Sequence, residues 1–207
     1  MAEPPETRWS QSGVSGEEYA ARLAERARSG ADMHGEASFV AALLAPGGRV
    51  LDAGCGTGRV GVRLDELGYD VVGADVDESM LAVARRTAPQ VPWHRADLAS
   101  LTAADLDGAD DFDLAVMAGN VVPLLAPGTV GRAVPALVAL LRPGGLVVAG
   151  FGLDPAHLPP GCPVTPLAEY DDACSTAGLS LRARYSTWDG DPFDDSSGYA
   201  VSVHVLD

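Results

Sequence analysis

The chain has 207 residues and a net charge of −15, from 29 acidic against 14 basic side chains. That length suits one domain with a full core, and no apolar run approaches the roughly 20 residues that span a bilayer. So acidic a chain lacks the cationic face that nucleic acids and anionic membranes require, which argues against both as partners and favours a small neutral or cationic molecule. The start, Met1 to Thr7, is acidic and polar with no basic-then-apolar leader, so the expected location is cytoplasmic. Cys55, Cys162 and Cys174 have no metal-like spacing, and the four histidines are scattered singly, so no metal is expected. Lysine and isoleucine are absent, and Asn120 is the only asparagine.

Taken in order, the chain first predicts two helices within residues 1–46. Glu17 to Arg28 places Tyr19, Leu23 and Ala27 on one face and stops at Gly30, and Glu36 to Leu44 stops at Pro46-Gly47-Gly48. Strands and helices then alternate over residues 47–153, the pattern of a parallel sheet. Strands are expected at Arg49–Asp52, Asp70–Asp75, Pro92–Ala96, Phe112–Ala118 and Gly145–Phe151. Helices fall at Gly58–Leu67, Glu78–Thr87 with Asp77 as N-cap, and Val130–Leu141, where Pro135 requires a kink or a late start. Residues 154–207 read as a Pro-rich loop, a helix over Leu167–Ala177, and two alternating strands, Leu179–Trp188 and Tyr199–Val205. No repeat, linker or second domain interrupts the chain, so residues 1–207 are expected to form a single domain.

The chemistry concentrates at Val50 to Gly58, Val-Leu-Asp-Ala-Gly-Cys-Gly-Thr-Gly, followed by a hydrophobic run that ends at Asp75. A strand, a glycine-rich turn, a helix and a second strand closed by a carboxylate form the signature of a nucleoside-containing cofactor. Gly56, Gly58 and Gly61 satisfy the dinucleotide pattern. Asp52, Gly54, Gly56 and Gly58 satisfy a second pattern, an acid two residues before G-x-G-x-G. An acid beside the turn repels a pyrophosphate but suits the ammonium of a methionine moiety. Short-chain dehydrogenases also need Tyr-x-x-x-Lys, and this chain has no lysine.

This stretch resembles the class I S-adenosylmethionine-dependent methyltransferases. Ala96-Asp97-Leu98, Phe112 to Met117, and Leu141-Arg142-Pro143-Gly144-Gly145 extend the resemblance over Arg49 to Phe151 in the family's order. It implies a seven-stranded, mostly parallel Rossmann-like α/β sheet with helices on both faces. An antiparallel C-terminal hairpin and an N-terminal helical lid over residues 1–46, with Trp9 and Tyr19 against the cofactor pocket, complete the implied fold. The implied donor is S-adenosyl-L-methionine, leaving as S-adenosyl-L-homocysteine.

Carried over residue by residue, Asp52 and the Gly54, Cys55, Gly56 and Gly58 turn are expected to hold the methionine part, and Asp75 the ribose. Val76 and Met80 would lie against the adenine, Asp97 and the Leu98 amide at its edge, and Ala118 at the end of the fourth strand. Asn120, at the same strand end, is the expected catalytic residue, accepting from a substrate N–H or O–H, with a plain turn residue as the alternative. His34, Glu36 and His157 are candidate bases. Val121-Val122-Pro123 departs from the Pro-Pro-aromatic sequence of nucleic-acid and glutamine N-methyltransferases. The acidic loop Asp189 to Asp195 reads as a solvated hairpin loop or a cation attractor. The resulting expectation is methyl transfer to N or O of a small-molecule acceptor, by a monomer or a homodimer. A catalytically silent binding domain and a protein side-chain methyltransferase are the alternatives.

Overall fold

The computed structural model describes residues 6–207. Helix α1 (Gly16–Arg28) begins at a capping box in which Ser15 and Glu18 satisfy each other's backbone donors. Helix α2 (Gly35–Leu43) follows. The alternating core comprises β1 (Arg49–Ala53), α3 (Arg59–Glu66), β2 (Asp70–Asp75), α4 (Glu78–Thr87), β3 (Trp93–Arg95) and β4 (Phe112–Met117). After these come α5 (Val121–Leu124), α6 (Val130–Val138), β5 (Leu141–Gly152), α7 (Leu167–Thr176), β6 (Leu179–Tyr185) and β7 (Tyr199–Leu206).

All seven strands join one sheet in the order β3-β2-β1-β4-β5-β7-β6. Strands β1 to β5 pair in parallel, and β7 runs antiparallel between β5 and β6. The expected fold class is therefore observed, including the C-terminal hairpin. The period of two along each strand sends neighbours to opposite faces. Leu51, Ala115 and Val147 pack with Leu137 and Tyr170 of α6 and α7. Val50, Leu114 and Val148 pack with Val40, Leu64 and Leu81 of α2, α3 and α4. Burial on both faces explains why the central strands read as continuous apolar runs.

Several boundaries differ from the sequence reading. Strand β5 begins at Leu141, four residues early, because Leu141 pairs with Phe112 before an irregularity that shifts register at Leu114. The first hairpin strand ends at Tyr185 instead of Trp188, since Trp188 turns inward and its ring occupies the space where Gly150 would carry a Cβ. The four-residue helix α5 is too short to leave a periodic signal. Pro135 lies inside α6, which begins at Val130, so the helix does not start late. Among the described residues no helix is long and apolar enough to cross a membrane.

The sheet order reverses between β1 and β4: β2 and β3 lie to one side, β5 and the hairpin to the other. The carboxyl ends of these two strands part there, which opens a crevice above them.

Candidate active site

The turn after β1 forms the floor of this crevice. Gly54 and Gly56 have φ of 77° and 54°, values in the left-handed region that side chains rarely adopt. A Cβ on Gly54 would stand 2.7 Å from Val121 of α5, so the turn and the segment after β4 approach too closely for any other residue. Beneath the turn lies Trp93 of β3, its indole N–H held by the Ala88 carbonyl at 2.9 Å. Trp93 atoms come within 2.9 Å of where Gly58 and Gly61 would carry a Cβ, and within 2.2 Å for Gly73.

Two buried carboxylates flank the turn. Asp52 is 2% exposed and accepts the Gly61 N–H at 2.9 Å through Oδ2. Burial raises its carboxyl to about 7, against the opposing effects of the Gly61 bond and Arg59. Asp75 is 9% exposed and accepts the Gly56 N–H at 2.8 Å and the Asp77 N–H at 2.9 Å, one on each oxygen. Burial raises this carboxyl too. Neither acid forms an ion pair with any described residue. Cys55 lies between them, and burial together with the two acids pushes its thiol well above the ordinary value. That makes it a wall of the pocket, with no thiolate available to attack.

One cavity collects Asp52, Gly54, Cys55, Gly56, Asp75, Val76, Met80, Asp97, Leu98 and Ala118. Ten of the eleven residues expected to hold the cofactor therefore border one space. Gly58 does not border it. Its place is under the turn, as N-cap of α3 with φ 82° and against Trp93, so its glycine answers packing and backbone geometry. Asp97 caps a short 3-10 turn by accepting the Ala99 N–H at 3.0 Å. The cavity wall also includes Thr57, Val60, Ala96, Val121, Leu124 and Leu125, to which the sequence assigns no contact with the cofactor.

The N-terminal segment roofs the cavity, with Thr7, Trp9 and Tyr19 in its wall. Trp9 donates its indole N–H to Asp77 at 2.7 Å, and Arg8 donates to the Pro123 carbonyl at 2.8 Å. These bonds tie the segment to the start of α4 on one side and to α5 on the other. Burial raises the Asp77 carboxyl, but the bonds from Trp9 and Ser79 outweigh it and hold the group below its ordinary value.

A second cavity of about 270 Å³ continues outward. Trp9, Tyr19, Arg59, Gly119 and Leu124 border both cavities, and Arg26, Asp32, Glu36 and Asn120 border only the outer one. Arg59, at the start of α3, is ion-paired with Glu36 of α2 and also donates to the Met33 carbonyl at 2.7 Å. Burial works against the Arg59 charge, and the bonds to Glu36 outweigh it.

Asn120 has another occupation than the one expected from its strand-end position. Its Oδ1 accepts the Gly152 N–H at 2.7 Å and its Nδ2 donates to the His157 carbonyl at 3.1 Å. The amide clamps the end of β5 to the following turn, and at φ 69° the residue also makes the left-handed bend into α5. Among the three candidate bases, only Glu36 borders a cavity. His34 is the exposed N-cap of α2, and the half-exposed His157 contacts Asp154 through Nδ1 at 2.8 Å. The acidic loop closes on itself, Asp191 bonding Thr187 and Asp194 bonding Ser196. No group of three or more His, Cys, Asp or Glu residues among those described is placed to hold a metal ion.

A methyltransferase-domain family profile matches residues 50–145, the stretch that builds the crevice. The fold and sequence are similar over nearly the whole chain to a TehB-like S-adenosylmethionine-dependent methyltransferase from Corynebacterium glutamicum. The two are 32% identical with a TM-score of 0.82, over 93% of this chain and 98% of the other. The chain belongs to the class I S-adenosylmethionine-dependent methyltransferases. The methyltransferase CcbJ from Streptomyces caelestis is similar at 27% identity and a TM-score of 0.70, over 84% of this chain and 88% of that one. The demethylmenaquinone methyltransferase of Beutenbergia cavernae is 34% identical over 53% of this chain and 43% of its own. The chain spans about two fifths of the length of the curated relatives it matches.

The family's cofactor, S-adenosylmethionine, suits the residues present. Two buried carboxylates border one cavity with backbone N–H donors but no ion pair, and each keeps acceptor sites for further donors or a cation. A ribose offers hydroxyl donors, and a methionine moiety offers an ammonium.

Proposed function

We propose that this protein transfers the methyl group of S-adenosylmethionine to a small-molecule acceptor held in the outer cavity. The observation that carries the reading is the shared wall, Trp9, Tyr19, Arg59, Gly119 and Leu124, which joins the cofactor cavity to a second one. A pocket of about 270 Å³ falls at or below the roughly 300–1,000 Å³ of ordinary ligand sites, which favours a small acceptor over a protein side chain presented on a folded surface.

In this reading, Asp75 takes the ribose hydroxyls, having already fixed its two oxygens on the Gly56 and Asp77 amides. Asp52 takes the ammonium, and Val76, Met80, Asp97 and Leu98 enclose the adenine. The bound cofactor supplies an activated methyl group on a sulfonium. The protein's remaining work is to aim the acceptor along the line of displacement and to keep water out. The strap formed by Thr7, Arg8 and Trp9 excludes water from above. Asn120 serves as a positioning residue through its clamp on Gly152 and His157.

Incubation of the protein with methyl-labelled S-adenosylmethionine and a small-metabolite extract tests the reading. Label is expected in a low-molecular-mass product. Tight cofactor binding with label in no extract component, or only in protein, would reject it.

A further inference from the structure

The junction between the two cavities restricts which atom can accept the methyl group. We propose that the acceptor is a small amine that reacts as its neutral free base, with Trp9 and Tyr19 recognising the positive charge that passes through the junction. This inference rests on the proposed methyl-transfer function and adds the substrate class.

Three observations carry it. The first is aromatic. Trp9 and Tyr19 both border the two cavities, with ring centroids 5.5 Å apart and planes at 83°. Aromatic faces attract cations, and more strongly where water is excluded. The Trp9 ring is also fixed in place, since its N–H is held by Asp77.

The second is the charge balance. Five acids, Asp32, Glu36, Asp52, Asp75 and Asp97, border the joined cavities against two arginines, Arg26 and Arg59. Arg59 is neutralised by Glu36, and Arg26 lies exposed at the outer rim. Asp32 has no ion-pair partner among the described residues. The space therefore suits a cationic ligand and is poorly matched to an anionic one.

The third is the state of the bases. A hydroxyl acceptor must lose its proton to a nearby base as it attacks. His34 and His157 border neither cavity, the Glu36 carboxylate is committed to Arg59, Asp32 is exposed and accepts the His34 N–H, and Asp52 faces the cofactor's ammonium in the proposed reading. A neutral amine needs no base. Its nitrogen lone pair forms the new N–C bond while the C–S bond breaks and that electron pair stays on sulfur. The positive charge moves from sulfur to nitrogen beside the same two rings. A primary or secondary amine then releases its proton to solvent.

The test uses choline and its neutral isostere 3,3-dimethylbutan-1-ol, each titrated into the full chain saturated with S-adenosylhomocysteine. Choline is expected to bind about tenfold more tightly than the isostere, the size of effect a partly desolvated cation–π contact provides. Tyr19→Leu should remove most of that preference, while Tyr19→Phe, which keeps the ring, should retain it. Equal affinities, no saturable choline binding, or a preference unchanged by Tyr19→Leu would overturn the inference. A second arm compares turnover of matched amine and alcohol acceptors, and methylation of the alcohol alone would overturn it while leaving the methyl-transfer reading intact. If S-adenosylhomocysteine itself fails to bind, the donor reading falls and this inference falls with it.

Discussion

Trp9 and Asp77 are joined by a 2.7 Å hydrogen bond that runs from the N-terminal segment to the first turn of α4. Asp77 also caps α4 by accepting the Ser79 N–H, so one carboxylate holds both the helix start and the roof of the inner cavity. Gly16 and Glu17 of α1 also bond Ser79 and Arg86 of α4, and we expect this roof to open for cofactor exchange.

Trp9→Phe keeps the ring and deletes that bond. A hydrogen bond to a charged group contributes about 1.5–3 kcal/mol, less where it is partly wet. Stopped-flow measurement should show cofactor leaving about fivefold faster, with the melting temperature nearly unchanged. An unchanged dissociation rate would mean that the strap does not gate exchange.

With Asp52 on the ammonium, as proposed, cofactor binding should depend on pH. Burial raises the Asp52 carboxyl to about 7, and an ammonium beside it favours the ionised form. Affinity for S-adenosylmethionine should rise from about pH 5.5 to pH 7, below the titration of the ligand's α-amino group, and calorimetry near pH 6.5 in buffers of different ionisation enthalpy should show proton release on binding. Uptake of protons, or none exchanged, would contradict this assignment.

The same group predicts a stability effect. Its folded-state pKa lies above the ordinary 3.8, so the stability it contributes is present at low pH and lost as pH rises through about 7. Asp52→Asn retains an acceptor for Gly61 and cannot ionise. Without cofactor it should melt like the parent near pH 4 and well above it at pH 8. His204, pushed down to about 4 by burial, acts in the opposite sense as pH falls below 6.5, and both proteins share it. The comparison between them therefore isolates Asp52.

Gly73→Ala would place a Cβ 2.2 Å from the Trp93 ring. Overpacking of this kind costs about 1–3 kcal/mol and often more when the neighbour is rigid. Combining it with Trp93→Leu should recover part of the loss in a double-mutant cycle of chemical denaturation. Strict additivity would show that the two residues do not collide.

Asn120→Gly accepts the left-handed backbone and removes the clamp on Gly152 and His157. Cofactor affinity should stay within about twofold while the acceptor KM rises, because the clamp lies on the outer cavity. A fall in kcat with KM unchanged would restore the catalytic role expected from its place at the strand end.

The strength of the sequence signal followed how local each constraint is. Asp52, the Gly54 to Gly56 turn and Asp75 are close in sequence and border one cavity, so their spacing alone marked its floor. Gly58 fitted the same pattern for a different reason, the bulk of Trp93 beneath it, which no local spacing reveals. Asn120 stood out by its rarity, yet rarity carries no direction for a side chain, and its amide proved to be engaged with β5. The outer cavity was illegible because its wall combines Arg26 and Glu36 with Asn120, residues brought together only by the packing of α1 and α2 above the sheet. Thr57, Leu124 and Leu125 line the inner cavity through apolar or small side chains that resemble any other core positions.

The most direct measurement is a calorimetric titration of the protein with S-adenosylmethionine and, separately, with NAD, repeated on Asp75→Ala. Saturable binding of S-adenosylmethionine, little or none of NAD, and loss of most of the affinity in the variant are the predicted results. Preference for NAD, or an affinity for S-adenosylmethionine that Asp75→Ala leaves unchanged, would contradict the account.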